Sequence, residues 1–181
     1  MINLSGKFNE SMLNEAKQVG VIYHYTELSS FFRILETNTL RGLISKYSKG
    51  ISFTRNKNFH KSSNRYIMGI DVSFVVDGNK LSNNYKIVPF QDLLTKKDII
   101  DQKLKWEKED EEVVTSKEIK NFLNYVIGFR LHKKYDLSKL NSSEYSYANS
   151  LFVNTKNTNI PQTEQGLINA IESEFKIKYL K

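Results

Sequence analysis

The stretch "VIYHYTELSSFFRILETNTL", residues 21–40, decides how this chain is read. Its first five residues are β-branched or aromatic apart from one histidine, which is the composition of a strand. Thr26 stands where an N-cap would. Leu28, Phe31, Phe32 and Leu35 follow at i, i+3, i+4, i+7, one face of an amphipathic helix that ends near "ETN". The strand–helix junction carries His24 between two tyrosines. A turn histidine held by a backbone hydrogen bond is the ordinary occupant of such a place, so its meaning depends on the segments around it.

Outward from that stretch, residues 8–18 read as a short, mostly polar helix. "KGISFTR" (49–55) reads as a short strand after a glycine, and "NKNFHKSSN" as a polar loop. "RYIMGIDVSFVVDGN" (65–79) alternates and is rich in Val, Ile and Phe, so it is one long strand or two with a bulge near Gly69. "DGN" turns the chain, and "NNYKIVPF" (83–90) is expected to return as the second strand of a hairpin. Residues 91–110 are strongly charged, either a solvated helix or a long loop. "EEVVTSKEI" (111–119) begins as a strand. "IKNFLNYVIGFRL" (119–131) reads as a short helix, with Ile119, Phe122 and Leu123 on one face, running into a strand. Residues 132–162 are Asn/Ser/Tyr-rich and aperiodic, so loops with one turn of helix are expected. A helix over 163–175 and a final strand "KIKYL" close the chain. With no repeat or linker, the expectation is one α+β domain over 1–181.

The composition narrows the function. Hydrophobic content of 39% suits a folded core, and no run is apolar enough to cross a membrane. The N-terminal residues show neither a basic n-region nor an apolar h-region, so no secretory leader and a cytoplasmic location are expected. The absence of cysteine excludes disulfides and thiolate metal sites, and three scattered histidines without HExxH give no metal centre. The net charge of +7 can steer toward nucleic acid, anionic nucleotides or an acidic partner. Only five of the 27 basic residues are arginine, and the lysines are dispersed.

Three segments carry polar residues on elements that would otherwise be plain strands: "YHYT" (23–26), "SFTR" (52–55) and "EDEE" (109–112) opening the strand "VV". In this order the set resembles the ADP-ribosyltransferase fold. That family has a His- or Arg-containing first strand, a Ser/Thr-containing second strand and a glutamate opening a later strand. The opening "IYHYTELSSFFRILETNTL" also resembles the first motif of DarT-type and related phage ADP-ribosyltransferases. "GISFTRN" (50–56) resembles their second motif, and "EDEEVVTSKEIKNFLNYVIGFRL" (109–131) the glutamate motif. The resemblance covers about residues 20–131 and implies an α+β fold with a split β core flanked by short helices.

It also implies a chemistry. Transfer of ADP-ribose from NAD breaks a glycosidic bond through an oxocarbenium-like centre, which a nearby carboxylate can stabilise. By that likeness His24 and Thr26 would hold the NAD ribose, His24 by donating to a hydroxyl. Ser52 and Thr54 would organise the second strand beneath the nicotinamide, Tyr25 or Phe53 would stack on it, and Arg55 would pair with the diphosphate. Among the acids, Glu111 with Glu109 in support is the favoured catalytic pair, with Glu112 the alternative. Strand register decides between them, because neighbouring residues face opposite ways. The acceptor would be a macromolecule, protein or nucleic acid, with the dispersed lysines favouring protein slightly, and the chain an effector of a phage or mobile element. The basic loop 54–66 lies where a DarT-like enzyme would meet nucleic acid, yet it carries no base-reading motif. The alternative reading is an inactive module of the same fold that blocks a host surface. An RNA 2′-phosphotransferase would call for more arginines.

Overall fold

The structure, a computed structural model, describes residues 19–42, 50–61, 70–89 and 111–181. The architecture is α+β. Nine strands are described: β1 Val21–Thr26, β2 Thr39–Arg41, β3 Ile51–Thr54, β4 Val72–Asp77, β5 Ile87–Pro89, β6 Glu111–Val114, β7 Glu118–Lys120, β8 Val126–Leu131 and β9 Lys178–Tyr179. Seven form one sheet in the order β5-β6-β3-β1-β4-β8-β9, and β2 pairs with β7 beside it. Every pairing is antiparallel except β8 with β9.

Helix α1, Leu28–Thr37, covers one face of the large sheet, as the apolar spacing requires. Phe31 lies 4.9 Å from Phe74 of β4 and 5.6 Å from Phe129 of β8, ring centre to ring centre. Phe122 meets Phe74 edge-on, and all of these rings are fully buried. Tilted and edge-on contacts of this kind suit the ring quadrupoles and add to the burial itself. Asn38 ends the helix in the left-handed conformation that Asn tolerates, and its Oδ1 accepts from Leu123 N–H at 2.8 Å.

Several expectations change. Thr26 remains in β1, and the N-cap is Glu27, whose side chain makes no cap bond. The helix's first N–H, of Leu28, instead donates to Asp71 Oδ2 at 3.1 Å, so a remote carboxylate caps α1. The described part of the segment expected to return, residues 83–89, does not pair back on β4. Asp77 caps the short helix α2, Gly78–Ser82, by accepting from Lys80 N–H, and β5 then pairs with β6 at the sheet edge. Ile119 belongs to β7, and the helix expected there is a 3₁₀ turn, Phe122–Tyr125. Residues 132–162 are far more ordered than their composition suggests. They hold helix α3, Ser142–Ala148, with a reciprocal Asn141/Glu144 capping box, and a π-helical run, Asn149–Thr155. Phe152 of that run packs edge-on against Phe32. Helix α4, Glu164–Phe175, and β9 follow as expected. The helix expected at 8–18, the bulge near Gly69 and the segment 91–110 lie outside the described residues.

Gly50 shows how tightly β3 approaches β6. A Cβ there would stand 2.2 Å from the Val114 carbonyl oxygen and 2.8 Å from Val113 Cγ1. Backbone cannot yield like a flexible side chain, so Gly50→Ala is expected to cost about 2 kcal/mol or more, read as a lower urea midpoint at unchanged slope.

Candidate active site

Strand register decides which polar side chains meet. His24 is the Cα partner of Phe74, Tyr23 is that of Thr54, and Phe53 is that of Glu112. His24, Phe53 and Glu112 therefore occupy one face of β1, β3 and β6, while Glu111 is in register with Thr54 on the alternate face. The expected pairing of His24 with Glu111 is corrected: Glu112 is the carboxylate on the histidine's face. Glu109 lies outside the described residues. With strands about 4.8 Å apart, the backbones carrying His24 and Glu112 are about 10 Å apart across β3.

His24 is half-buried, and its Nδ1 lies 3.0 Å from the Ser52 carbonyl. A carbonyl only accepts, so Nδ1 carries the proton. Burial holds the ring's pKa below the ordinary 6.5, against the opposing pull of the Ser52 bond. The neutral imidazole thus presents Nε2 as an acceptor. His24 was expected to donate; in this tautomer its remaining nitrogen, Nε2, can only accept.

Glu112 is 5% exposed. Its Oε1 accepts from Arg55 Nε at 2.9 Å and Nη2 at 2.7 Å, while Oε2 is buried and has no partner among the described residues. A buried acceptor left unmade is costly, so such an atom calls for an explanation. Arg55 is accordingly engaged with the carboxylate and does not border the cavity described next.

That cavity, of about 540 Å³, opens between β1, α1, β2 and the start of β3. The sequence singled out His24, Tyr25, Thr26 and Ser52, and all four border it. So do Ser30, Arg33, Thr37, Thr39 and Arg41, which it did not suggest. Phe53 is 2% exposed, with its ring tilted against His24 at 5.5 Å, so it packs the imidazole in place and offers no stacking face. Thr54 is buried, its Oγ1 accepting from Asn56 N–H at 3.0 Å to start the turn after β3.

The ring of Tyr25 belongs to a second cluster, beyond the expected set. It lies 5.3 Å from His132, and its hydroxyl donates to the Asn56 carbonyl at 3.2 Å. Burial raises its pKa to about 12. His60 and His132 are stacked at 4.0 Å, Ser73 Oγ is 2.9 Å from His132 Nε2, and the Arg130 guanidinium lies over Tyr23. Burial, with the neighbouring His60 and Arg130, pushes the His132 pKa down to about 4. Among the described residues no group of three or more His, Cys, Asp or Glu is placed to hold a metal ion, and no helix is long and apolar enough to cross a membrane.

No family model, no curated protein and no solved structure matches this chain. The functional reading therefore rests on the site itself.

Proposed function

We propose that this chain is an NAD-dependent mono-ADP-ribosyltransferase of the ADP-ribosyltransferase fold, acting on a macromolecular acceptor, protein rather than nucleic acid. One observation carries the reading: His24 of β1 and Glu112 of β6 share a face of the sheet on either side of β3, and Glu112 keeps one buried oxygen without a partner among the described residues. In the reaction, the bond between the ribose anomeric carbon and the nicotinamide nitrogen breaks, and nicotinamide leaves with the electron pair. His24 Nε2 accepts from a ribose hydroxyl at the cavity, and Glu112, which stands behind the cavity wall on the same sheet face, supplies the negative charge toward the positive centre that develops. An O–H or N–H nucleophile of the acceptor then bonds to the anomeric carbon, and its proton passes to the carboxylate. A cytoplasmic effector of a phage or mobile element, acting on host macromolecules, is the setting that the first-motif resemblance suggests.

A second reading has its own support. The Arg55–Glu112 ion pair neutralises the carboxylate, which is what a binding module that kept the fold and lost the chemistry would display. NAD decides between the two. The transferase is expected to be stabilised against heat by millimolar NAD and to release nicotinamide, because a ligand that binds only the native state raises the midpoint. A flat titration with no nicotinamide released leaves the binding module standing.

A further inference from the structure

The arginine that the sequence pointed to for phosphates is tied to Glu112, yet two other guanidiniums border the cavity. Arg33 projects from α1 and Arg41 from the end of β2, with Ser30, Thr37 and Thr39 around them. Helix α1 reaches this space through a second stripe. Ser30, Arg33, Ile34 and Thr37 recur at i, i+3, i+4, i+7, beside the core stripe of Leu28, Phe31, Phe32 and Leu35. One helix thus closes the core with one face and walls the cavity with the next.

The wall is already partly ordered. Ser30 Oγ donates to Glu27 Oε1 at 3.2 Å, and Thr37 Oγ1 donates to the Arg33 carbonyl at 2.8 Å. Arg41 meets Glu118 through Nε at 3.7 Å, and Glu118 is shared with Lys120 at 3.3 Å. Arg41 and Lys120 are well exposed and Glu118 partly so. A long, exposed contact of that kind is weak, and an anion offering two oxygens to the guanidinium fork displaces it readily.

The geometry points to a diphosphate clamp: Arg33 and Arg41 together hold the diphosphate of a small nucleotide ligand on the α1–β2 wall, apart from His24 on β1. The cavity is in the size range of small-molecule sites, which favours a soluble nucleotide over the phosphates of a nucleic-acid backbone. The inference deepens the transferase reading and rests on it only for the identity of the cofactor.

Calorimetric titration of the full chain with ADP, inorganic pyrophosphate, adenosine and a short single-stranded oligonucleotide tests it. ADP and pyrophosphate are expected to bind, and adenosine at least about ten-fold more weakly than ADP. Arg33→Gln and Arg41→Gln should each raise the Kd for ADP about ten-fold, the scale of one lost charge-assisted contact. Lys178→Gln, an exposed cation on β9, should leave it unchanged. Both arginines are exposed, so the ligand-free melting temperatures of the two variants should match wild type, which separates lost binding from lost folding. The clamp is overturned if the Arg33→Gln/Arg41→Gln double variant binds ADP like wild type, if Lys178→Gln weakens it equally, or if wild type takes only the oligonucleotide or none of the four. Arginine-dependent ADP binding without NAD binding or nicotinamide release keeps the clamp and removes the transferase reading.

Discussion

Glu112→Gln is expected to lower ADP-ribose transfer about a hundred-fold or more, while ligand affinity stays within about two-fold. Gln keeps the side chain's shape and can still accept from Arg55, but it loses the charge that would face the oxocarbenium centre. The cavity residues His24, Thr26, Arg33 and Arg41 are untouched, so binding should persist. Arg55 is 41% exposed, and water takes up whatever the amide no longer satisfies, so the fold should survive. Glu111→Gln should be nearly silent, because the register sets that residue opposite Thr54 and not on the histidine's face. Single-turnover transfer of labelled ADP-ribose, with affinity measured separately, reads both variants. A dead Glu111→Gln beside an active Glu112→Gln would move the chemistry to the other face of β6 and sink the assignment. Digesting the labelled product with nuclease or protease then assigns the acceptor.

Acidification from pH 7.5 to 4.5 is expected to lower the denaturant midpoint through the histidine cluster. His132 titrates near 6.5 in the unfolded chain and at about 4 in the folded one, and His60 and His24 are depressed in the same direction. Between those values the unfolded state binds protons that the native state does not. This stabilisation is complete above pH 6.5 and is lost as the pH falls toward 4. Among the described residues, the groups facing the stacked rings give no relief: Tyr25 from β1, Ser73 from β4, Arg130 from β8 and Lys61 beside His60. For His132 alone the loss is about 2 kcal/mol, allowing for its partial exposure to solvent. His132→Phe keeps a ring against His60 and Tyr25 while removing the titration, and should flatten the dependence. A wild-type midpoint that holds to pH 4.5, or an equal slope in His132→Phe, counts against the cluster.

Local pattern made part of this molecule readable and left the rest hidden. Strand β1 and helix α1 were legible because β-branched residues and a 3.6-residue apolar period both act within a few positions. The same helix hid Arg33, since a polar residue on an amphipathic helix reads as solvated until another element is known to face it. The spacing of Ser30, Arg33 and Thr37 was the available signal. Register was out of reach. Nothing near Glu111 and Glu112 says which aligns with Phe53, because β3 is nearly sixty residues away in the chain. The hairpin expected from β4 to 83–90 failed for a related reason. Sequential strands often pair, but Asp77 caps a short helix that carries the chain off to β6. The π-helical run 149–155 was lost in an Asn/Ser-rich background, where burial of Leu151 and Phe152 overrides weak propensity. Arg55 was read as a partner for phosphate, whereas the structure pairs it with Glu112, since a guanidinium suits a carboxylate as well as a phosphate.

The contact that fixes the proton on His24 Nδ1 comes from main chain. Every amino acid supplies a carbonyl, so replacing Ser52 by Ala, Thr or Asn takes nothing from the imidazole. The tautomer is written into chain length and not into residue identity. A lineage could exchange residue 52 freely and keep the same lone pair on Nε2. Gaining or losing a single residue just ahead of β3 would slide the strand, turn its faces over, and leave the imidazole with a different neighbour.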